Sequence, residues 1–333
     1  MPSSYTHQLI AEQIAEALPE NIKSRVSFMP EYFFGAQGGD VFYFYNIAGG
    51  GKNIGKYFHR KNIYGVFTSF ARSAGRCDPR ALSYIAGYIT HYAADTVFHP
   101  YVYWLSKTEK ERTGRKKDNF HALAESDFDG YFVRRYKRSG VNEYEFPVKY
   151  GDLGLKAVFP VLAEAVACGG GEIKERRFCR AARRFFSFQN FFSDRRFRRG
   201  RTLFGAEKFL HLPHVFSGLY RRDNYDLRYV NGERREWYYP AEPALTSRES
   251  ADELFERSVK EGVRLICAFF IAAEGNEPLK KEDFGKHFLT GLPEDAALPF
   301  DEKGNPADQA EKGAEKKIGE TKAAARHETK AHN

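Results

Sequence analysis

The amino-acid sequence predicts an all-α fold of many helices, with one short β-hairpin and a disordered carboxy-terminal tail. Apolar residues recur at helical spacing in residues 158–168 and 250–273, which predicts two amphipathic helices. A proline-free run at 80–98 predicts a third helix. The apolar share of 42% and the aromatic share of 16% are sufficient for a folded globule with a sizeable core.

The first predicted element is a helix close to the amino terminus. Residues 2–7 supply capping side chains, and Ile10, Ile14 and Leu18 continue at helical spacing. A glycine-rich turn follows at residues 35–40. It lets the backbone approach a neighbouring group, such as an ion, and it presents the Asp40 carboxylate; taken alone, it is equally typical of an ordinary tight turn.

The next predicted helix is bounded by two prolines. Asp78 is a favourable N-cap, and Pro79 suits the first helical position because its missing N–H costs nothing there. Pro100 ends or kinks the helix. Gly87 in the middle leaves room for another backbone to approach.

The second half of the chain continues as helices with one exception. Glycines at 169–171 end the helix that covers 158–168. Asn231 and Gly232 form a hairpin signal between aromatic-rich flanks at 225–230 and 233–239, which predicts a small flap beside a cleft.

Residues able to bind metal are concentrated in the first 125 positions. Five of them lie on two predicted helical segments at intervals of four, so that each pair projects from one helix face. These are His91, Asp95 and His99 on the first segment, and His121 and Glu125 on the second. A single such histidine is more typical of a hydrogen-bonded core residue, but eight candidates together favour a metal site. Nitrogen and oxygen ligands without cysteine are typical of catalytic zinc, or of manganese or iron. The eight candidates are His7, Asp40, His59, His91, Asp95, His99, His121 and Glu125.

This ordered set resembles the zinc-dependent phospholipase C family, whose fold is shared with zinc-dependent single-strand nucleases, and the likeness spans residues 2–132. The resemblance implies a mostly helical domain that holds three zinc ions in a cleft. It implies one ion on Asp40, His59, His91 and Asp95, and a second on Asp95, His7 and the amino terminus. The third ion would lie on His99, His121 and Glu125.

The amino terminus differs from the family pattern. The family uses the amine of a mature first residue, usually tryptophan, as a zinc ligand, and this chain has no such tryptophan. Removal of Met1 would place the amine of Pro2 five residues before His7, the offset of the nuclease branch, so Pro2 is a candidate ligand. Otherwise we expect a site with two metals. Residues 1–30 have no long apolar run, which predicts that no signal peptide is present.

The ligand set predicts phosphodiester hydrolysis. Two metals lower the pKa of a water and clamp the phosphate oxygens. Asp40 or Glu125 would orient or deprotonate the attacking water, and the sequence favours neither. The expected substrate is a phospholipid; the alternatives are a nuclease or nucleotide phosphodiesterase, and a metal-stabilised binding protein without catalysis. We expect Ser126, Asp127 and Asp129 to support the ligands or to lie on the surface.

A basic, aromatic segment covers residues 174–201. It has eleven Lys or Arg against two acids, interleaved with seven phenylalanines. As an amphipathic helix it could lie on an anionic membrane or line a nucleic-acid groove, or it could simply pack by its phenylalanines with the arginines in water. The net charge of +8 agrees with an anionic partner.

The remaining features concern organisation and location. We expect residues 1–298 to form one phospholipase C-like helical domain, and residues 299–333 to form a disordered charged tail. The cysteines are widely spaced, which predicts reduced thiols and a cytoplasmic protein, peripheral at the membrane if the basic segment binds lipid. No apolar run is long enough to span a membrane. His211 and His214 are expected to be structural histidines, with residues of the cleft as the alternative.

Overall fold

Helices make up nearly all of the regular structure in the described part of the chain, which confirms the all-α prediction. The computed structural model describes residues 4–45, 54–194, 196, 198–210, 212, 217–275 and 277–294. The α-helices are α1 (Ser4–Ala17), α2 (Glu20–Lys23), α3 (Met29–Gly35), α4 (Ile54–Arg60), α5 (Ile63–Ala74), α6 (Pro79–Thr113), α7 (Phe120–Lys137), α8 (Leu155–Ala167), α9 (Glu175–Phe192), α10 (Arg198–Phe209), α11 (Ala251–Ala273) and α12 (Lys281–Phe284). Strands β1 (Trp237–Tyr239) and β2 (Glu242–Ser247) form a hairpin, and 3-10 helices cover Gly38–Phe44, Tyr150–Asp152, Ser217–Leu219 and Leu227–Val230.

Helix α6 is the centre of the fold. Its N-cap is as predicted, because the Asp78 carboxylate accepts a hydrogen bond from the Arg80 amide at 2.8 Å. Helices α3 and α11 pack most extensively against it, and α1 and α7 pack against it as well. Almost every residue from Tyr84 to Val102 is buried. Any polar side chain in that stretch therefore needs a partner from a neighbouring element.

Pro100 does not end α6, so that part of the prediction is wrong. The helix continues to Thr113, and Gly114, with φ of 68°, ends it. Proline removes the hydrogen bond to the carbonyl of Thr96, four residues earlier. Residues on both sides of Pro100 are deeply buried, and this packing outweighs the lost bond.

The predicted close approach at Gly87 is confirmed. A Cβ atom there would lie 1.9 Å from the carbonyl oxygen of Tyr32 in α3. Gly35 is its counterpart, where a Cβ would lie 2.2 Å from the carbonyl oxygen of Tyr84. The two backbones therefore touch, which holds the turn after α3 directly against α6.

The hairpin lies further along the chain than predicted. Asn231, with φ of 50°, closes the 3-10 helix Leu227–Val230, and its amide donates to two backbone carbonyls. The strands pair Trp237 with Ser247 and Tyr239 with Glu242, which places the turn between Tyr239 and Glu242. The Trp237 ring packs 5.3 Å from that of Tyr101. The hairpin therefore packs on α6 through Trp237.

The packing of α9 shows where the phenylalanines of the basic, aromatic segment lie. Phe178 is buried and stacks 5.6 Å from Phe42, and Phe188 packs 5.1 Å from Phe44. The arginines of α9 are mostly exposed. This stripe belongs to the core and cannot insert into a membrane.

Several predictions concern residues outside the described ranges. These are Pro2, His211, His214 and the tail from residue 299. Within the described ranges, no helix has the length and apolar content required to cross a membrane. The four cysteines are free thiols.

Candidate metal centre

All eight predicted side chains of the described region come together around α6. His91, Asp95 and His99 follow one another at intervals of four on α6. His7 comes from α1, Asp40 from the 3-10 helix after α3, His59 from α4, and His121 and Glu125 from α7. Three groups of three bring their ligand atoms within 4.8 Å of one another: His7 with His91 and Asp95; Asp40 with His59 and His91; His99 with His121 and Glu125.

Asp95 is the buried carboxylate at the middle of the arrangement, with 4% of its surface exposed. Its Oδ1 lies 3.2 Å from Nε2 of His7, and its Oδ2 lies 3.3 Å from Nε2 of His91. The same Oδ2 lies 3.6 Å from Nε2 of His59 and from Nδ1 of His99. One carboxylate therefore faces four imidazoles, which permits it to bridge two metal ions.

Asp40 and His59 form the side of the centre that faces α3 and α4. Nε2 of His59 lies 3.3 Å from Oδ1 of Asp40 and 3.3 Å from Nε2 of His91. Side-chain exposure is 16% at Asp40 and 2% at His59. Asp40 is thus the more accessible member of this group.

His99, His121 and Glu125 form the third group, between α6 and α7. Oε1 of Glu125 lies 3.1 Å from Nε2 of His121 and 3.8 Å from Nε2 of His99. The two imidazole rings stack at 5.5 Å. The helical spacing of His121 and Glu125 therefore turns both toward the same point, as predicted.

Backbone carbonyls fix the orientation of two imidazoles. Nδ1 of His59 donates to the carbonyl of Gly55 at 2.7 Å, and Nδ1 of His99 donates to the carbonyl of Phe288 at 3.0 Å. A carbonyl can only accept, so each ring donates from Nδ1, and Nε2 is the nitrogen that faces the carboxylates and would bind a metal once deprotonated. Such contacts orient metal-binding histidines and raise their basicity.

The donor set fits metal ions. Oδ2 of Asp95 and the Nδ1 atoms of His7 and His91 are buried without a hydrogen-bond partner in the described region. Buried polar atoms rarely stay unsatisfied, and a carboxylate left so among four imidazoles calls for a cation. Nitrogen and oxygen donors without sulfur suit zinc in a catalytic setting.

The charges of the centre shift its pKa values strongly. Burial alone would raise the carboxyl pKa of Asp95, but His91 and His99 outweigh it and hold that pKa far below its usual range. Burial would also raise the pKa of Asp40, but nearby charges and hydrogen bonds outweigh it and lower that pKa to about 2, with His59 as a main contributor. Burial opposes the charged form of His99, yet Asp95 and then Glu125 raise its pKa to about 9. Burial dominates at His91 and lowers its pKa to about 3.

The predicted glycine turn approaches imidazole rings. A Cβ at Gly38 would lie 1.9 Å from Cδ2 of His91, and the φ of Gly38 is 49°. A Cβ at Gly39 would lie 2.6 Å from Cε1 of His59. The absence of side chains here allows Asp40 to reach both histidines.

Asp129 anchors the helix that carries His7. Its Oδ1 accepts hydrogen bonds from the backbone and hydroxyl of Thr6, at 2.8 and 2.9 Å, and its Oδ2 accepts from Nε of Arg221 at 2.8 Å. Arg221 also donates to Gln189, which donates to the hydroxyl of Ser4. Asp129 thus supports the helix that carries the candidate ligand His7, whereas Arg221 and Gln189 were not predicted, because they are distant from it in the chain.

Ser126 and Asp127 face the same segment as Asp129. The hydroxyl of Ser126 donates to the carbonyl of Tyr220, and Asp127 pairs with Arg222 at 3.0 Å. Both are buried. They tie α7 to residues 220–222 rather than lying on the surface.

The centre opens into a cavity of about 180 Å³. Besides six of the predicted residues, it is lined by Tyr43, Tyr103 and Leu289. These three were not predicted, because no spacing pattern connects them with the ligands. They supply apolar and aromatic surface next to the metal-binding side chains.

Fold and site together define an all-α protein with a candidate multinuclear metal centre of nitrogen and oxygen donors. Residues 6–157 match the family model described as zinc dependent phospholipase C, and this stretch includes all eight ligands that the structure places in the centre. Slightly less than half of the chain is thus similar to the zinc-dependent phospholipase C family. No curated protein and no solved structure matches the chain significantly.

Proposed function

We propose that the protein is a zinc-dependent phosphodiester hydrolase that acts on phospholipids in the manner of a phospholipase C. One observation carries the proposal most strongly: five separate elements bring eight potential ligands together, with the buried Asp95 at the middle. The family match supports zinc as the metal and a phospholipid as the substrate class.

The distances support a distribution of ligands over three ions. Asp40, His59, His91 and Asp95 would hold one ion, and Asp95 with His7 would hold a second, completed by the amine of Pro2, which lies outside the described residues. His99, His121 and Glu125 would hold the third. His91 lies close to the ligand atoms of both the first and the second group.

The chemistry follows from these groups. Bound zinc would lower the pKa of a water and stabilise the negative charge that develops on the phosphate. Asp40 or Glu125 would accept the proton of the attacking water, since both carboxylates are ionised at neutral pH. Their histidine neighbours would hold them in place. Tyr43 and Tyr103 would exclude water from the apolar part of the substrate.

Asp40 is the preferred general base. Both carboxylates line the cavity, but the side chain of Asp40 is 16% exposed, against 6% for Glu125. Glu125 lies close to two histidines, at 3.1 and 3.8 Å, and serves better as a ligand. Asp40→Asn is therefore expected to reduce kcat by at least about 100-fold. If Asp40→Asn keeps its full zinc content while kcat falls, Asp40 acts as a base. If zinc is lost as well, Asp40 acts as a ligand.

The substrate is tested with a panel. Zinc-loaded protein is incubated with phosphatidylcholine, other phospholipids, single-stranded DNA and RNA, dinucleotides and bis-p-nitrophenyl phosphate. Release of diacylglycerol and a phosphorylated head group supports the proposal. Cleavage of nucleic acid without lipid cleavage identifies a nuclease. Absence of hydrolysis with zinc bound supports a non-catalytic binding protein.

Metal analysis tests the centre itself. Two or three zinc ions per chain are expected for the wild type, and fewer for His91→Ala and Glu125→Gln. Asp127→Asn is a matched control, because Asp127 lies on α7 near Glu125, is buried and belongs to none of the three groups. Equal zinc content in all four proteins would contradict the assignment.

A further inference from the structure

The described residues of 196–212 form a surface of unusual composition, here termed the 196–212 surface. Nine large apolar residues are exposed in the described part of the chain, and four of them lie between positions 204 and 212. Phe209 is 82% exposed, Leu210 60% and Leu212 52%, and Phe204 is also exposed. Such clustering in a short stretch marks an interaction surface, since apolar residues exposed singly are normal.

The charges of the same surface have one sign. Its exposed cations are Arg196, Arg198, Arg199, Arg201 and Lys208. The single acid of the stretch, Glu207, is buried, and its carboxylate accepts a hydrogen bond from the backbone amide of Ser217. The surface therefore presents positive charge beside exposed apolar side chains, without an exposed carboxylate of its own.

Helix α10 contacts the rest of the protein through a narrow face. The exposed apolar and basic side chains of the 196–212 surface lie away from that face. Only Gly200 and Glu207 of α10 are buried. The backbone amide of Gly200 donates to the buried carboxylate of Asp194 at 3.1 Å, which fixes the start of the helix. The amide of Leu212 donates to the carbonyl of Glu207 at 2.8 Å, which fixes the turn after it. Polar contacts thus help to position the helix, while Phe209, Leu210 and Leu212 remain exposed.

We propose that the 196–212 surface docks the protein on the anionic surface of a lipid bilayer. Cations attract anionic head groups, and apolar side chains at the end of a helix can enter the region between head groups and acyl chains. Phe209, Leu210 and Leu212 would insert, and the arginines would contact phosphate. None of these residues lines the cavity of the metal centre, so the proposal holds whether or not hydrolysis occurs.

A bilayer fits this surface better than a nucleic acid does. Leucine has no aromatic face on which a base can stack, and leucines are two of the three most exposed apolar residues here. The phenylalanines of α9, which would otherwise interleave with its arginines, are largely buried in the core. The chemistry that remains exposed is a compact apolar cluster beside cations, which suits a lipid interface.

Co-sedimentation with vesicles tests the proposal. The full zinc-loaded chain is mixed with vesicles of phosphatidylcholine alone or with added phosphatidylglycerol. Binding is expected only with phosphatidylglycerol, and it should weaken as salt rises. The double variant Phe209→Ser with Leu212→Ser should lower the partition coefficient at least tenfold. Leu227→Ser is the matched control, since Leu227 is 64% exposed elsewhere and should bind like the wild type.

The charges are tested in the same assay. Arg198→Gln combined with Arg201→Gln is expected to weaken vesicle binding by roughly tenfold to thirtyfold. Lys260→Gln, an exposed cation on α11, serves as the control. Hydrolysis of soluble bis-p-nitrophenyl phosphate should be unchanged in all variants, which separates docking from catalysis. No binding of the wild type to anionic vesicles, equal binding of all variants, or binding to single-stranded DNA alone would overturn the proposal.

Discussion

Nδ1 of His99 donates to the backbone carbonyl of Phe288 at 3.0 Å, across 189 positions of the chain. The Phe288 ring also packs 5.2 Å from that of His59 and 5.8 Å from that of His91. A segment beyond the family match at 6–157 therefore supports three of the predicted ligands.

Replacement of Gly291 should disturb His99 from a distance. Gly291 has φ of 65°, and a Cβ there would lie 2.3 Å from the carbonyl oxygen of Thr96. Gly291→Ala must shift the turn that holds Phe288, so zinc affinity should fall by about 10- to 100-fold. Competition with a chelator measures the change. Gly232→Ala, where a Cβ meets nothing within 4 Å, should bind zinc normally; an equal loss in both variants would contradict the argument.

Gly38→Ala should displace the imidazole of His91. The variant combines a backbone cost of about 1 kcal/mol with a direct clash, because its Cβ would lie 1.9 Å from the ring. Gly114→Ala isolates the first effect, since Gly114 has φ of 68° and open space around it. Thermal unfolding should show a larger loss for Gly38→Ala, and metal analysis should show fewer zinc ions in that variant only. Normal zinc content there would argue against the close packing of Gly38 on His91.

Zinc binding should release protons at neutral pH. Asp95 and Glu125 raise the pKa of His99 to about 9, so without metal this imidazole is protonated at pH 7 and must lose its proton to bind zinc. The pKa of His59 is raised as well, whereas His91, with a pKa of about 3, is already neutral. Affinity should thus fall as the pH falls below about 9. Calorimetry in buffers of different ionisation enthalpy should detect about one proton or more; identical heats in all buffers would refute this.

Loss of the Asp129 carboxylate should weaken both the fold and the site of His7. Asp129→Ala leaves Arg221 charged and buried, which costs about 3–5 kcal/mol of unfolding free energy. It also frees Thr6, next to His7, so the loss of zinc should be confined to one ion. Asp127→Ala is the comparison, because its partner Arg222 is one third exposed and the cost should be smaller. Denaturant unfolding measures both, and equal losses would contradict this account.

Local patterns predicted the helices and the spacing within the candidate ligand pairs well. Apolar spacing and caps located α1, α8 and α11, and the spacing of four placed His121 and Glu125 on one face. These features depend on neighbours in sequence, which is why the sequence reveals them. The close approach at Gly87 was predictable for the same reason.

Features that depend on distant residues were not predictable. Pro100 lies within α6 because buried neighbours stabilise both flanks, and the hairpin moved because Asn231 caps a 3-10 helix instead of forming the turn. The pairing of Asp129 with Arg221 and the support of His99 by Phe288 have no local signature. In each case tertiary packing outweighs the local preference.

The contact between His99 and Phe288 also bears on biosynthesis. A ribosome makes His99 and its partner carbonyl 189 residues apart, so the nascent chain carries most of its metal ligands long before their support exists. At roughly 5–20 residues per second, that interval lasts on the order of ten seconds or more. Support of His99 by this carbonyl therefore waits until residue 288 has been made, and a chain cut short before it would emerge with its histidines present but His99 without that contact.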